Sequence, residues 1–365
     1  MAKHAHSCPN EHGFETKNIF FNVVQIKVFL KNFYYILPHN FNKTLEGSKM
    51  QIRFWGVRGS IPAPLNMKEI RKKMLRVLEF AADKDISSKQ YREEVLDSFA
   101  NEECLVIGGN TTCVEVKTID AHIIFDMGSG IRELGYDILE HNKKNEAKDL
   151  HVFLSHTHWD HIHGFPFFLP AYLPNYNFKF YSAHPELQKR LNDQQDFRFF
   201  PVSTDYMSSK KEFFQLEIDE EIKINSTVIK HIELHHPGKS YAYRVEAEGK
   251  SFIFATDGEY NNLSFDRINT YIDFYQNADL LVFDAQYSFD EEIEKIDWGH
   301  SSALFGVDLS IKSGVKKLAI THHGPEQNDD TIRKLCANAI LYKKKNYKEN
   351  ELEIFLAREG LVVTI

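Results

Sequence analysis

The amino-acid sequence predicts an α/β fold, a four-layer αββα sandwich with two sheets in the middle and helices outside. Two observations carry this. From about residue 50 the chain alternates short apolar runs with stretches of helical period, and the strands crowd together before they begin to alternate with helices. With 365 residues, 42% of them hydrophobic, the chain also has enough apolar mass to fill one large core.

Taken in order, strands are expected at 52–54, 112–116, 122–125, 152–154 and 178–181, and then at 228–233, 242–245, 252–255, 280–283 and 318–321. Each is a short run rich in β-branched or aromatic residues. Helices are expected at 67–82, 131–142, 185–194, 264–276, 301–312 and 329–345. The stretch 67–99 is polar and charged, so it reads as a helical insertion beside the core. A domain spanning 50–365 follows, preceded by an extension over 1–49.

That extension differs in texture. "NIFFNVVQIKVFLKNFYYIL" is rich in aromatic and β-branched residues, but Lys27 and Lys31 interrupt it, so it reads as a docked helix or an extension rather than a membrane span. His4, His6, Cys8 and His12 lie too near the terminus to read as a metal site. Four cysteines without CxxC pairing argue against a disulfide framework and predict a reducing, cytoplasmic setting. A formal net charge of −8 disfavours tight binding of polyanions. The chain is expected to be a monomer or a homodimer.

The chemistry concentrates in "HTHWDH", residues 156–161, which follows the apolar strand "HVFLS". A loop leaving a strand end lets side chains converge free of ladder constraints. His156 and His158, two apart on an extended segment, point the same way and suit one ion. Asp160 and His161 turn toward a second, so the spacing suggests two metals. Without cysteines nearby, a structural zinc site is disfavoured.

HxHxDH after a strand resembles the signature of the metallo-β-lactamase fold superfamily. "FWGVRGSIPAP", "GGNTTC", "IIFDMGSGIRELG" and "SHTHWDHIHGFPFF" are similar to the N-terminal half of its ribonuclease Z-like branch. Within that resemblance, "HHPGKSYAYRVE" nominates His236, "FIFATDGEY" nominates Asp257, and "LAITHHGP" nominates His322. One ion would then take His156, His158, His236 and Asp257, and the other Asp160, His161, Asp257 and His322. Two cations sharing a carboxylate would bring the pKa of nearby water from roughly 15.7 toward about 7. His163, His235 and His323, neighbours of these ligands, are expected to support rather than coordinate. Zinc is the default ion, with manganese or iron suited to the same donors.

The superfamily spans many reactions, so the substrate needs a second signal. "VFDAQYSFDEEIEKIDWGHSSA" resembles the branch's pairing of an acidic residue with a histidine, here Asp284 and His300. His300 would stabilise charge on phosphoryl oxygens and assist the leaving oxygen. Asp160, His300 and Asp284 are thus the candidate catalytic residues, and Ser301 or Ser302 is expected to cap a helix rather than act as nucleophile.

The resemblance implies a metal-dependent phosphodiesterase. A small substrate, foremost a cyclic nucleotide, is expected because residues 164–235 lack the Gly- and Pro-rich basic arm of tRNA-processing members. tRNA 3′ processing, with nucleic acid as partner, stands second; a non-phosphodiester hydrolase or a redox or binding module stands third. In "GFPFFLPAYLPNY", Phe165, Phe168 or Tyr172 could stack on a base, but core packing is the role expected of most of them.

Overall fold

A computed structural model describes residues 50–98, 106–142, 146–261 and 263–365. The expectations for the N-terminal extension, including its histidine group, lie outside these residues, as do Phe99 and Cys104. Among the described residues, no helix is long and apolar enough to cross a membrane.

The first sheet receives β1 (Gln51–Gly56), β2 (Cys113–Lys117), β3 (His122–Phe125), β4 (Lys148–Phe153), β5 (Tyr176–Ser182) and β6 (Lys210–Gln215) in spatial order. The second is built from β7 (Ile222–Ile224), β8 (Thr227–Leu234), β9 (Ser240–Ala247), β10 (Lys250–Ala255), β11 (Leu280–Asp284), β12 (Lys317–Thr321) and β13 (Glu353–Leu356). A last strand, β14 (Val362–Thr364), returns to pair antiparallel with β1.

Both sheets begin with antiparallel pairs and finish parallel: β3 to β6 run together, and so do β10 to β13. Because β8 and β10 both pair antiparallel with β9, they point the same way as each other. The carboxyl ends of β8, β10, β11 and β12 therefore gather along one edge.

Period-two alternation builds the layers. Phe252, Phe254, Leu280 and Val282 face the space between the sheets, where Ile52, Phe54, Ile123 and Phe125 of the first sheet meet them. Their neighbours Ile253, Leu281 and Phe283 face outward onto a second core, covered by helices Phe265–Tyr275, Ala303–Lys312 and Asp329–Asn346. Trp55, Ile124 and Val152 do the same on the first sheet, under helices Ile131–His141 and Leu187–Gln194. Three apolar interfaces separate four layers, as the patterning predicts.

Helix Met67–Ala81 begins on a capping box at Asn66 and Glu69 and buries only Ala81. It is tied to the start of helix Asp329–Asn346 by ion pairs, with Lys73 reaching Asp329 at 2.7 Å and Arg76 reaching Asp330 at 3.1 Å. Helix Lys89–Ser98 buries no residue.

The predicted helix at 185–194 starts late, at Leu187, because Glu186 takes a positive φ of 58° that interrupts helical geometry. Strands β6, β7, β13 and β14 are not among the sequence expectations. In "KKEFFQ" the charges hide the strand, and the others are only three or four residues long.

Phe125 sits at the junction of the sheets, fully buried, with its ring 5.2 Å from Phe254 and 5.6 Å from Tyr243. Phe125→Ala should lower unfolding free energy by about 3–5 kcal/mol in denaturant titrations. A loss below about 1 kcal/mol would mean that the inter-sheet core repacks freely around the gap.

Candidate metal centre

Every residue proposed from the sequence as a ligand lies just past the carboxyl end of a strand. The loop after β4 carries His156, His158, Asp160 and His161; β8 leads to His236, β10 to Asp257 and β12 to His322. The two sheets contribute to one site, and the structure gathers these seven residues into two groups.

The first group is all imidazole. His156 Nε2 lies 2.9 Å from His158 Nδ1, which is 3.1 Å from His236 Nε2. Hydrogen bonds on the far side of two rings fix what those nitrogens present. His236 Nδ1 donates to the carbonyl of Gly299 at 2.8 Å. His156 Nδ1 donates to Ser155 Oγ at 3.0 Å, while that hydroxyl donates to Asp126 Oδ2 at 2.7 Å. Both Nε2 atoms are left as lone pairs aimed at one point. Burial holds His156 well below its ordinary pKa, and pulls His236 down to about 4 and His158 lower too, so all three are neutral donors at pH 7.

The second group mixes charge. His161 Nε2 and His322 Nε2 lie 3.3 Å apart, and each is 3.2 Å from Asp160 Oδ2. Burial works against protonation of these rings, but the carboxylates, led by Asp257, outweigh it. His161 is raised well above its ordinary value and His322 is raised to about 9. Protons stand in there for a cation, and a buried cluster that must protonate its histidines is a cluster suited to a divalent ion.

Asp257 joins the groups. Its Oδ1 is 3.9 Å from both His156 Nε2 and His236 Nε2, while its Oδ2 is 3.1 Å from His161 Nε2 and 3.2 Å from His322 Nε2. One carboxylate thus turns one oxygen toward each group. It is buried, and Oδ2 meets the His161 and His322 rings as ion-pair contacts rather than in well-aligned hydrogen bonds. A buried carboxylate is costly unless something positive meets it, a place the two protonated rings take here. The donor set and this buried, two-faced carboxylate both fit divalent metal.

His300 stands beside the groups, its Nδ1 2.7 Å from Asp284 Oδ2 and 3.8 Å from Asp257 Oδ1. With His158, Asp160, Asp257, Ser60, Thr157 and Trp159 it lines an open cleft. Asp284, His300, His322 and Asp257 also converge closely enough to count as a third ligand-like group.

The histidines next to the proposed ligands fall elsewhere. His235 is exposed, its Nε2 3.7 Å from Asp297. His323 is buried against the carbonyl of Ala357 at 3.4 Å. His163 approaches Thr111 Oγ1, whose hydroxyl donates to the backbone carbonyl of Asp160. Ser302 accepts the amide of Phe305 and caps its helix, whereas Ser301 donates to the carbonyl of Gly258.

The aromatic run takes the packing role expected for most of it, and two acids join the site that the sequence reading did not include. Phe165 and Phe168 are buried, packed edge-on against Phe180 and Phe178, so neither is available to a base; Tyr172 donates to the carbonyl of Pro166. Asp126 was missed. Buried at the end of β3, it accepts from Ser155 and from His161 Nδ1 at 2.7 Å, orienting one ring in each group. An aspartate ending the apolar run "HIIF" was the available signal. Glu259 was also missed: it accepts the amides of Asp297 and Gly299 and so fixes the loop between His236 and His300. Gly299 has φ +86°, and a Cβ there would lie 2.1 Å from His236 Nδ1.

His236→Ala or His322→Ala should strip metal measured by elemental analysis, whereas His235→Ala should leave it unchanged and His323→Ala should change it little. Asp126→Asn should weaken metal affinity by roughly 10- to 100-fold through the two imidazoles it orients. Equal metal loss in His235→Ala and His236→Ala would reassign the ligand.

Comparison with known proteins agrees with this geometry. The family described as "Beta-lactamase superfamily domain" matches residues 122–323, more than half of the chain. Ribonuclease Z of Prochlorococcus marinus is 22% identical over 263 residues, covering 55% of this chain and 78% of that one. Ribonuclease Z of Picrophilus torridus is 23% identical over 270 residues, covering 61% and 82%. The metallo-beta-lactamase fold protein YhfI from Bacillus subtilis superposes with a TM-score of 0.56 at 17% identity, over 87% of this chain and 100% of that one. Unliganded yeast PDE1 gives 0.56 at 13%, over 87% and 100%. Ligand loops at strand ends, four layers and a family match spanning the whole site lead to one conclusion: the chain belongs to the β-lactamase superfamily and carries the metallo-β-lactamase fold.

Proposed function

We propose that the chain is a metal-dependent phosphodiester hydrolase that holds two divalent ions, zinc by default, and acts on a small phosphodiester, foremost a cyclic nucleotide. The observation that carries this reading is the Asp257 carboxylate, which offers one oxygen to each of two ligand groups beside the Asp284–His300 pair. Relatives named ribonuclease Z and a fold shared with yeast PDE1 support phosphodiester chemistry.

Divalent ions, once bound, supply Lewis acidity and acidify water. The chain's own groups do the rest. Asp284 Oδ2 accepts from His300 Nδ1, which fixes the tautomer and leaves Nε2 for a phosphoryl or leaving-group oxygen. Asp160 Oδ2 accepts the amide of Ser60 at 2.7 Å, leaving Oδ1 to orient an attacking water. Arg190 donates to Thr157 Oγ1 at 2.8 Å, which places a cation behind the cleft wall where an anionic substrate enters.

The small substrate is supported by what fills residues 164–235. Strands β5 to β8 and helix Leu187–Gln194 are built from that stretch, in place of a long basic arm. The second reading, tRNA 3′ processing, is favoured by the names of the sequence relatives. A reducing, cytoplasmic setting accords with Cys113 being a buried thiol outside any disulfide among the described residues.

Metal-reconstituted protein should hydrolyse at least one of cyclic AMP, cyclic GMP and 2′,3′-cyclic nucleotides, and should lose that activity to chelation. Turnover of a tRNA precursor alone would move the second reading to first. Elemental analysis should return two ions per chain.

His300→Ala should keep both ions and lower turnover of bis(p-nitrophenyl) phosphate by roughly 100-fold or more. Asp284→Asn should reproduce the defect more mildly, since the ring stays in place without its carboxylate. Unchanged turnover in His300→Ala would reopen ester, thioester and lactone substrates.

A further inference from the structure

Trp159 lies between two proposed ligands, and its side chain is 82% exposed. Its indole makes no hydrogen bond or ring contact with any described residue. A lone exposed apolar side chain is ordinary; this one also forms part of the wall of the catalytic cleft, beside Thr157, His158 and Asp160. The backbone beneath it is anchored on both sides. The amide of His161 donates to the carbonyl of His158 at 3.0 Å, that of His163 to the carbonyl of Trp159 at 2.8 Å, and that of Met127 to the carbonyl of His161 at 2.7 Å. An indole on so fixed a base has only two side-chain torsions left to order, so a flat ring meeting it finds a nearly ready surface.

We propose that Trp159 is the positioning residue for the base of a nucleotide substrate, stacking on it while the phosphate occupies the metal cleft. This deepens the phosphodiester reading and rests on it. Phe165 and Phe168 are in the core and not available to a base; among the described residues that line the cleft, Trp159 presents an exposed ring that is not a proposed ligand. Stacking tolerates any base, because each presents a π-face, so Trp159 confers a preference for nucleotides over other phosphodiesters without choosing among them.

The test compares adenosine 5′-monophosphate with ribose 5-phosphate, which share the phosphate and sugar and differ in the base. Binding to metal-reconstituted protein is measured by calorimetry. Indole fluorescence is read in a Trp298→Phe background, so that the buried Trp55 and the cleft residue are the remaining tryptophans. The nucleotide should bind roughly 10-fold more tightly than the sugar phosphate and quench the emission, whereas the sugar phosphate should not quench.

Trp159→Ala should erase that 10-fold advantage by weakening the nucleotide alone, and Trp159→Phe should retain part of it. An advantage preserved in Trp159→Ala, or an equal loss for both ligands, overturns the assignment. Failure of both ligands to bind the unsubstituted protein at full metal content overturns the phosphodiester reading, and the stacking role with it.

Discussion

A carboxylate that must face two ways at once constrains everything around it. Asp257 turns one oxygen toward the imidazoles of the first group and the other toward His161 and His322, and it does so from the loop after β10. Since His156, His158, Asp160 and His161 follow β4 of the opposite sheet, the site depends on how the two sheets are held against each other. Aromatic packing between them supplies that hold. Phe125, Phe153, Tyr243, Phe252 and Phe254 interdigitate at ring separations of 5.2–5.8 Å, so neither sheet slides without breaking ring contacts.

The support around the ligands has its own order. Asp126 reaches His161 directly and His156 through Ser155, tying one ring in each group to a single buried carboxylate. On the other side Glu259 grips the amides of Asp297 and Gly299, and the Gly299 carbonyl then holds His236, with His300 the next residue along. Each proposed ligand shell thus depends on an acid that touches no ligand-bearing cleft itself. Their burial leaves these acids no alternative partners, which is what makes the orientation firm.

Most strands and the four proposed ligands of the "HTHWDH" loop were legible in the sequence because both signals are local. An apolar run of period two reveals a buried strand, and "HTHWDH" concentrates donors too densely for chance. His236, Asp257 and His322 were reachable only through resemblance, since nothing nearby marks a lone histidine or aspartate as converging with residues far along the chain. Asp126 and Glu259 were illegible for a different reason. Their function is to accept hydrogen bonds from backbone and rings, which leaves no pattern in spacing. Edge strand β6 was hidden by its lysines and glutamate, charges suited to an edge that would otherwise invite pairing. Phe165 and Phe168 take the core role expected for most of the aromatic run, because they follow a tight turn that drives them under the metal loop into the first sheet's outer core.

Asp126, Asp257 and His322 all have positive φ, at 59°, 58° and 58°. Few residue types occupy that region readily, and asparagine is among them. The mutational alphabet at Asp126 and Asp257 is therefore short, and its mildest member keeps the backbone while discarding the charge. Descendants of this sequence have an easy path to a protein of unchanged shape in which the carboxylate between the two groups has become an amide. Such a lineage would shed catalysis before it shed its architecture, and its cleft would be free to take up other work.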